Sequence, residues 1–212
     1  WNLTNRQAVA LQRELAKKIS TPKKNRKGID LVAGVDVSFI GNYCCAACVI
    51  MRFSSCTIIE KALHIQKTNF PYIPGLLTFR EGPAVLNVFD KIKAEPDLIL
   101  FDGQGKAHPR GLGLASHIGL FVDIPTIGCA KSRLCGQYTS LGCKKGSFSY
   151  LTYKNNIVGA VLRTRNNTLP IYVSAGNNIH LADALLFTLA SCPRFKIPEP
   201  LRNAHTLSKQ TL

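Results

Sequence analysis

Two spacings of apolar residues run through the chain. Between residues 29 and 65, three strand-length stretches, "IDLVAGVDVSF", "CCAACVIMRF" and "CTIIEKALHI", are separated by the turn signals "IGNY" and "SS". That pattern predicts an antiparallel meander. "TNRQAVALQRELAKKI" has the helical spacing: Thr4 or Asn5 caps it, and Ala8, Leu11, Leu15 and Ile19 share one stripe. "TFREGPAVLNVFDKIK" reads as a helix that turns Val85, Val88, Phe89 and Ile92 inward, and "RGLGLASHIGLFV" and "HLADALLFTLASC" read as two more. "PDLILFD" and "PTIGCAK" are short, continuously apolar runs, as strands buried on both faces require. "SYLTY" and "IVGAVLRTR" form a hairpin around Asn155-Asn156, and "PIYVSAG" is a last strand.

A meander followed by alternating helices and buried strands indicates one α/β domain over residues 1–212, a mixed β-sheet flanked by helices. Repeats, low-complexity tracts and linkers are absent from the sequence. Hydrophobic residues make up 46% and charged residues 18%, which excludes a disordered chain. No apolar run is long enough to cross a bilayer, and the amphipathic start does not have the form of a signal peptide, so an intracellular protein without a membrane partner is expected.

Charge changes the picture most. Twenty-seven Lys and Arg against twelve Asp and Glu give a net charge of +15, an excess that folding does not need and that suggests a polyanionic partner such as nucleic acid. The eight cysteines include the CxxC spacing Cys45-Ala-Ala-Cys48, but a zinc site needs a second ligand pair and none follows. All eight read as reduced thiols packed like small apolar residues, which fits a reducing compartment.

Against so few acids, placement is informative. Asp36 interrupts an apolar strand, on the opposite side from Val35 and Val37, where a carboxylate needs a cation or a metal. Asp102 ends the buried run "PDLILFD", although an Asp before Gly103 is also a plain turn residue. Were the two strands neighbours, both carboxylates would meet at one sheet edge, where Mg²⁺ could hold them together. Glu81 is a candidate third ligand, but spacing alone favours a helix cap, because Thr78-Phe-Arg-Glu81 has the form of a capping box. "GQGKAH" lacks the third glycine of a dinucleotide fingerprint and the ending of a P-loop. Gly103 and Gly105 would instead let backbone approach a bulky polyanion, with Lys106, His108 and Arg110 supplying charge and donors.

Several of these stretches resemble successive motifs of endonuclease V: "AGVDVSF", "PYIPGLLTFREGPAVL", "FDGQGKAHPRGLGLASHIGLFVDIPTIGCAKSRLCG", "PIYVSAGNNIHLADAL" and the C-terminal "RFKIPEPLRNAH". The resemblance implies an RNase H-like fold and a Mg²⁺-dependent endonuclease, with Mn²⁺ able to substitute. Its substrate would be inosine in nucleic acid, cut at the second phosphodiester on the 3′ side to leave a 3′-hydroxyl and a 5′-phosphate. It further implies that Asp36, Glu81 and Asp102 bind the metal, overriding the cap for Glu81, and that Lys131 stands near the scissile phosphate. Tyr72 matches the wedge beside the extruded base. Pro74 and Gly75 of the same turn, with Gly103, Gly105, His108 and Arg110, complete the surroundings of the inosine. One departure stands out: where the family motif reads S-x-G-H, this chain has Ser174-Ala-Gly-Asn177, so Asn177 is expected beside the second metal in place of a histidine. Asn cannot shuttle a proton, which leaves a binding module with reduced or lost catalysis as the rival reading. The whole looks like a eukaryotic member, which favours single-stranded RNA over DNA, in a monomer of the cytoplasm or nucleus.

Overall fold

The computed structural model describes residues 1, 3–22 and 28–210. Helix α1 (Asn5–Ala16) precedes the meander β1 (Leu31–Ile40), β2 (Tyr43–Arg52) and β3 (Ile58–Lys67). Then come α2 (Leu77–Phe89), β4 (Leu98–Phe101), α3 (Leu114–Val122), β5 (Thr126–Ala130), β6 (Phe148–Tyr153), β7 (Asn156–Leu162), β8 (Ile171–Ala175), α4 (Leu181–Ala190) and α5 (Glu199–Gln210). The strands form one eight-stranded sheet in the order β3-β2-β1-β4-β5-β8-β7-β6. β1, β4 and β5 run parallel, and the other neighbours are antiparallel.

Each face of the sheet carries its own core. Val32, Leu98, Leu100, Ile127 and Val173 face α4 and α5, packing on Leu185, Phe187 and Leu201. Ala33, Val35, Ile99 and Phe101 face α2 and α3, packing on Val85, Val88, Leu114 and Ile118. Because β4 and β5 are covered on both sides, they are apolar without alternation. β2 is buried almost end to end, and its Cys44, Cys45 and Cys48 pack there as free thiols. Among the described residues, no helix is long and apolar enough to cross a membrane.

Two expectations shift. Thr4 caps α1 in a reciprocal box with Gln7, but the buried positions are Ala8 and Gln12, Leu11 is exposed, and Ile19 lies beyond the helix end. The inward stripe thus has a polar residue in it. α5 is a twelve-residue helix that the apolar spacing did not announce, since "EPLRNAHTLSKQ" contains only two large apolar residues among its buried and half-buried positions. It docks along β1, where Gly34 admits it: a Cβ there would stand 2.2 Å from the Pro200 carbonyl carbon.

Gly34→Ala is therefore expected to lower the unfolding free energy by about 1–3 kcal/mol, the usual range for overpacking. Denaturant titration checks it, and a change within about 0.5 kcal/mol would mean that α5 can lift from β1 freely.

Candidate active site

The register of β1 and β4 decides what meets at the carboxyl end of β4. Val35 pairs with Phe101, and the Asp102 amide donates to the Val35 carbonyl at 3.1 Å, so Asp102, just past β4, lies beside Asp36, midway along β1. Glu81 comes from α2 on one face of the sheet. α5, on the other face, sets Ser208 Oγ at 2.8 Å and His205 Nδ1 at 3.1 Å from Asp36 Oδ2. Lys131, just past β5, donates to Asp102 Oδ2. Asp36, Glu81, Asp102 and Lys131 line one cavity of about 360 Å³, together with Tyr72, Pro74, Gly75, Gly103 and His108. This is the size of a small-ligand site, placed beyond parallel strands as mixed sheets favour.

The capping role expected of Glu81 is not realised. α2 begins at Leu77, no side chain caps it, and Glu81 sits inside the first turns, 7% exposed. Burial, then the charges of Asp36 and Asp102, push its carboxyl well above the ordinary 4.5. Asp36 is also raised, by burial first and by Asp102 among its neighbours, against the lowering effect of the Ser208 hydrogen bond. Burial and neighbouring carboxylates thus oppose the ionisation of Glu81 and Asp36, while an ammonium touches Asp102 and an imidazole touches Asp36. Among the described residues, no three His, Cys, Asp or Glu side chains already stand at metal-binding spacing. The donor chemistry nevertheless fits a hard divalent cation: oxygen ligands, net negative, facing a common space.

On the far wall a single carbonyl fixes the turn that carries Tyr72. Gly75 O accepts from Gln12 Nε2 at 2.9 Å, His108 Nε2 at 2.9 Å and an Arg110 terminal nitrogen at 2.6 Å. Only glycine suits the position, with φ +81° and the Arg110 nitrogen 2.7 Å from where a Cβ would be. His108 Nδ1 accepts from the Arg110 amide, so the ring carries its proton on Nε2. Burial first, and the Arg110 charge further down, hold the imidazole at about 4, hence neutral. His108 therefore holds the turn in place rather than supplying charge to a polyanion, and Arg110 holds it too, bonding Gln12 as well as Gly75. Tyr72 remains 69% exposed at the cavity mouth. Gly103 lines the cavity, whereas Gly105 is pressed against β8, where its amide donates to Ser174 Oγ at 2.8 Å. A Cβ on Gly105 would stand 2.3 Å from the Ala175 carbonyl oxygen.

Asn177 is not at the cavity. Its amide donates to Gly119 O and accepts from the Ser20 amide, both at 2.9 Å, while its backbone bonds Thr126. Thr126 opens β5, and the cavity residues Ala130 and Lys131 lie at the other end, about 13 Å or more away at ~3.3 Å per residue. The histidine that does reach a cavity carboxylate is His205. Sequence reasoning missed it, along with Ser208 and Gln12. The signal available was "RNAH", where His205 falls four residues after the buried Leu201.

Comparison with known proteins bears on the whole chain. The endonuclease V family model matches residues 13–206. The chain is 47% identical over 209 residues to endonuclease V of Thermosipho melanesiensis, covering 99% of this chain and 92% of that protein. It is 44% identical over 206 residues to that of Dictyoglomus thermophilum, covering 97% and 90%. The crystal structure of the Streptomyces avermitilis endonuclease V superposes with a TM-score of 0.94 at 36% identity, over 100% of this chain and 94% of that one. The catalytic domain of human endonuclease V gives 0.90 at 28%, over 97% and 94%. That of Ciona intestinalis, in complex with a 23-mer DNA containing an inosine followed by a ribo-adenosine, gives 0.84 at 24%, over 99% and 98%. The architecture is the RNase H-like one expected. The expected eukaryotic character is not supported: the relatives at 44–47% identity are bacterial, and the human protein stands at 28%.

The raised Glu81 carboxyl has a consequence for stability. Its folded value lies above its unfolded one, so the native state holds the proton more tightly and stability falls as pH rises above about 4.5. Glu81→Gln has no proton to lose and should flatten that fall, melting higher than wild type at pH 8 in chelator and less so near pH 4.5. Parallel melting-temperature profiles for the two proteins would refute this.

Proposed function

The chain belongs to the endonuclease V family, and on that premise we propose that it is a divalent-metal-dependent endonuclease that recognises inosine in nucleic acid. It hydrolyses the second phosphodiester on the 3′ side of the inosine, leaving a 3′-hydroxyl and a 5′-phosphate. The observation that carries this reading is the convergence of Asp36, Glu81, Asp102 and Lys131, from four elements and both faces of the sheet, on one cavity.

Asp36, Glu81 and Asp102 would hold Mg²⁺, or Mn²⁺ in its place. Bound there, such an ion would relieve the carboxylates' mutual repulsion and would supply Lewis acidity for activating water and stabilising the leaving oxygen. Ser208 and His205 keep Asp36 aimed at the cavity. Lys131, already on Asp102, is placed to offset charge on the phosphate. The turns at Gly103 and Gly75 line the cavity that would receive a base, and the exposed Tyr72 can stack where that base has left its strand. The bound inosine strand of the Ciona protein supports the ligand class, and the +15 charge supports a polyanion.

With the bacterial likeness established, the eukaryotic look no longer supports a preference for RNA, and the proposal covers inosine in RNA and in DNA. The rival binding module rested on Asn177, which lies at the far end of β5. His205 occupies the place beside a cavity carboxylate.

Cleavage of matched inosine-containing RNA and DNA strands with Mg²⁺ or Mn²⁺ tests the reading. Asp36→Asn should lose cutting and retain binding, while Tyr72→Ala should impair duplex cleavage more than single-strand cleavage. Equal cutting by wild type and Asp36→Asn would remove the carboxylate site.

His205 and Asn177 should separate cleanly. His205→Ala is expected to lower turnover about 10- to 100-fold, as loss of a group orienting a metal-binding carboxylate does. Asn177→Ala should instead lower stability by about 1–3 kcal/mol, because buried partners lose their bonds. A silent His205→Ala with a turnover loss in Asn177→Ala would reverse the assignment.

A further inference from the structure

Gln104 sits in the turn between Asp102 and Gly105, lines the cavity and is 9% exposed. Its Nε2 donates to the Ser132 carbonyl at 2.9 Å. A carbonyl can only accept, so the nitrogen end of the amide must face Ser132. Oε1 then lies on the other side, buried and without a protein partner. Leaving an acceptor in that state costs about 1–3 kcal/mol, which an apolar side chain of the same length would avoid. The amide is therefore retained at a cost to the fold.

What it holds is the chain just beyond β5. The ladder of β5 ends with Ala130 opposite Tyr172, and Lys131 and Ser132 follow without strand partners. Lys131 must nonetheless bring its ammonium back to Asp102, one turn away on the segment after β4. The Gln104 bond ties the backbone after Lys131 to the backbone after Asp102, bridging the two segments at the cavity rim.

We propose that Gln104 is a positioning residue for strand cleavage, holding Lys131 on Asp102 through the Ser132 carbonyl. This rests on the nuclease reading above and reaches beyond it. Gln104 itself performs no chemistry; its effect passes through Lys131.

A double-mutant cycle decides it. Wild type, Gln104→Met, Lys131→Ala and the double variant are compared in cleavage of an inosine-containing single strand, with melting curves as the check on folding. Gln104→Met should lower kcat about 10- to 100-fold, the scale of an ångström's misplacement, with KM nearly unchanged. Combined with Lys131→Ala it should add almost nothing, since contacting residues on one path are not additive. Fully multiplicative losses, or a loss in KM alone, would overturn the proposal. A second readout needs no substrate or metal: acetylation of Lys131 followed by mass spectrometry. Reactivity should rise in Gln104→Met towards that of Asp102→Asn, and unchanged reactivity would overturn the proposal. If Gln104→Met does not fold, Gln104→Ala takes its place. A wild type that does not cut would count against the nuclease reading alone, and the acetylation result would still decide Gln104.

Discussion

The parallel pairing of β1 with β4 is the constraint on which the site depends. Once Val35 lies opposite Phe101, the next residue along each chain segment is an aspartate, and the two carboxylates are brought into one cavity. Such a pair is unfavourable in itself, and Glu81 arriving from α2 makes it more so. The fold sustains the conflict because both strands are anchored far from it. The apolar side chains of β1 and β4 are divided between two cores, one under α2 and α3 and one under α4 and α5. An acidic cavity inside a strongly basic molecule is the result. On the proposed reading, its surplus of positive charge would attract a polyanion, and a cation among the carboxylates would let that polyanion settle.

Much of the frame was legible in the sequence because its signals are local. Alternation marked the meander, unbroken apolar runs marked β4 and β5, and the scarcity of acids drew attention to Asp36 and Asp102. The site was less legible wherever a polar residue is buried by contacts distant in sequence. Gln12 interrupts the apolar stripe of α1 because its partners are the Gly75 and Leu112 carbonyls, 63 and 100 residues on. α5 escaped notice because it buries Gly34-facing backbone and small side chains, Ala204 and Ser208, rather than a stripe of large ones. With it went His205.

Motif likeness erred in a different way. Asn177 lies in a stretch resembling a family motif, and spacing within that stretch says nothing about which end of β8 faces the cavity. The antiparallel pairing with β5 settles it, since Ala175 pairs with Ile127, near the start of β5 rather than its end. Charge was over-read at His108. In the sequence it belongs to a basic cluster; in the fold it is neutral, and its Nε2 donates to Gly75, as does one Arg110 nitrogen.

That carbonyl also sets how the cavity meets a ligand. A carbonyl oxygen has two lone pairs, and here three donors from α1 and from the turn before α3 crowd upon them. That wall of the cavity is accordingly ordered in advance, and little conformational entropy would be left to lose there on entry of a base. Three residues earlier, the Tyr72 ring stands in solvent. Rigidity and freedom are thus separated within four residues of one turn: the part that would grip is fixed, and the part that would pry is free to rotate.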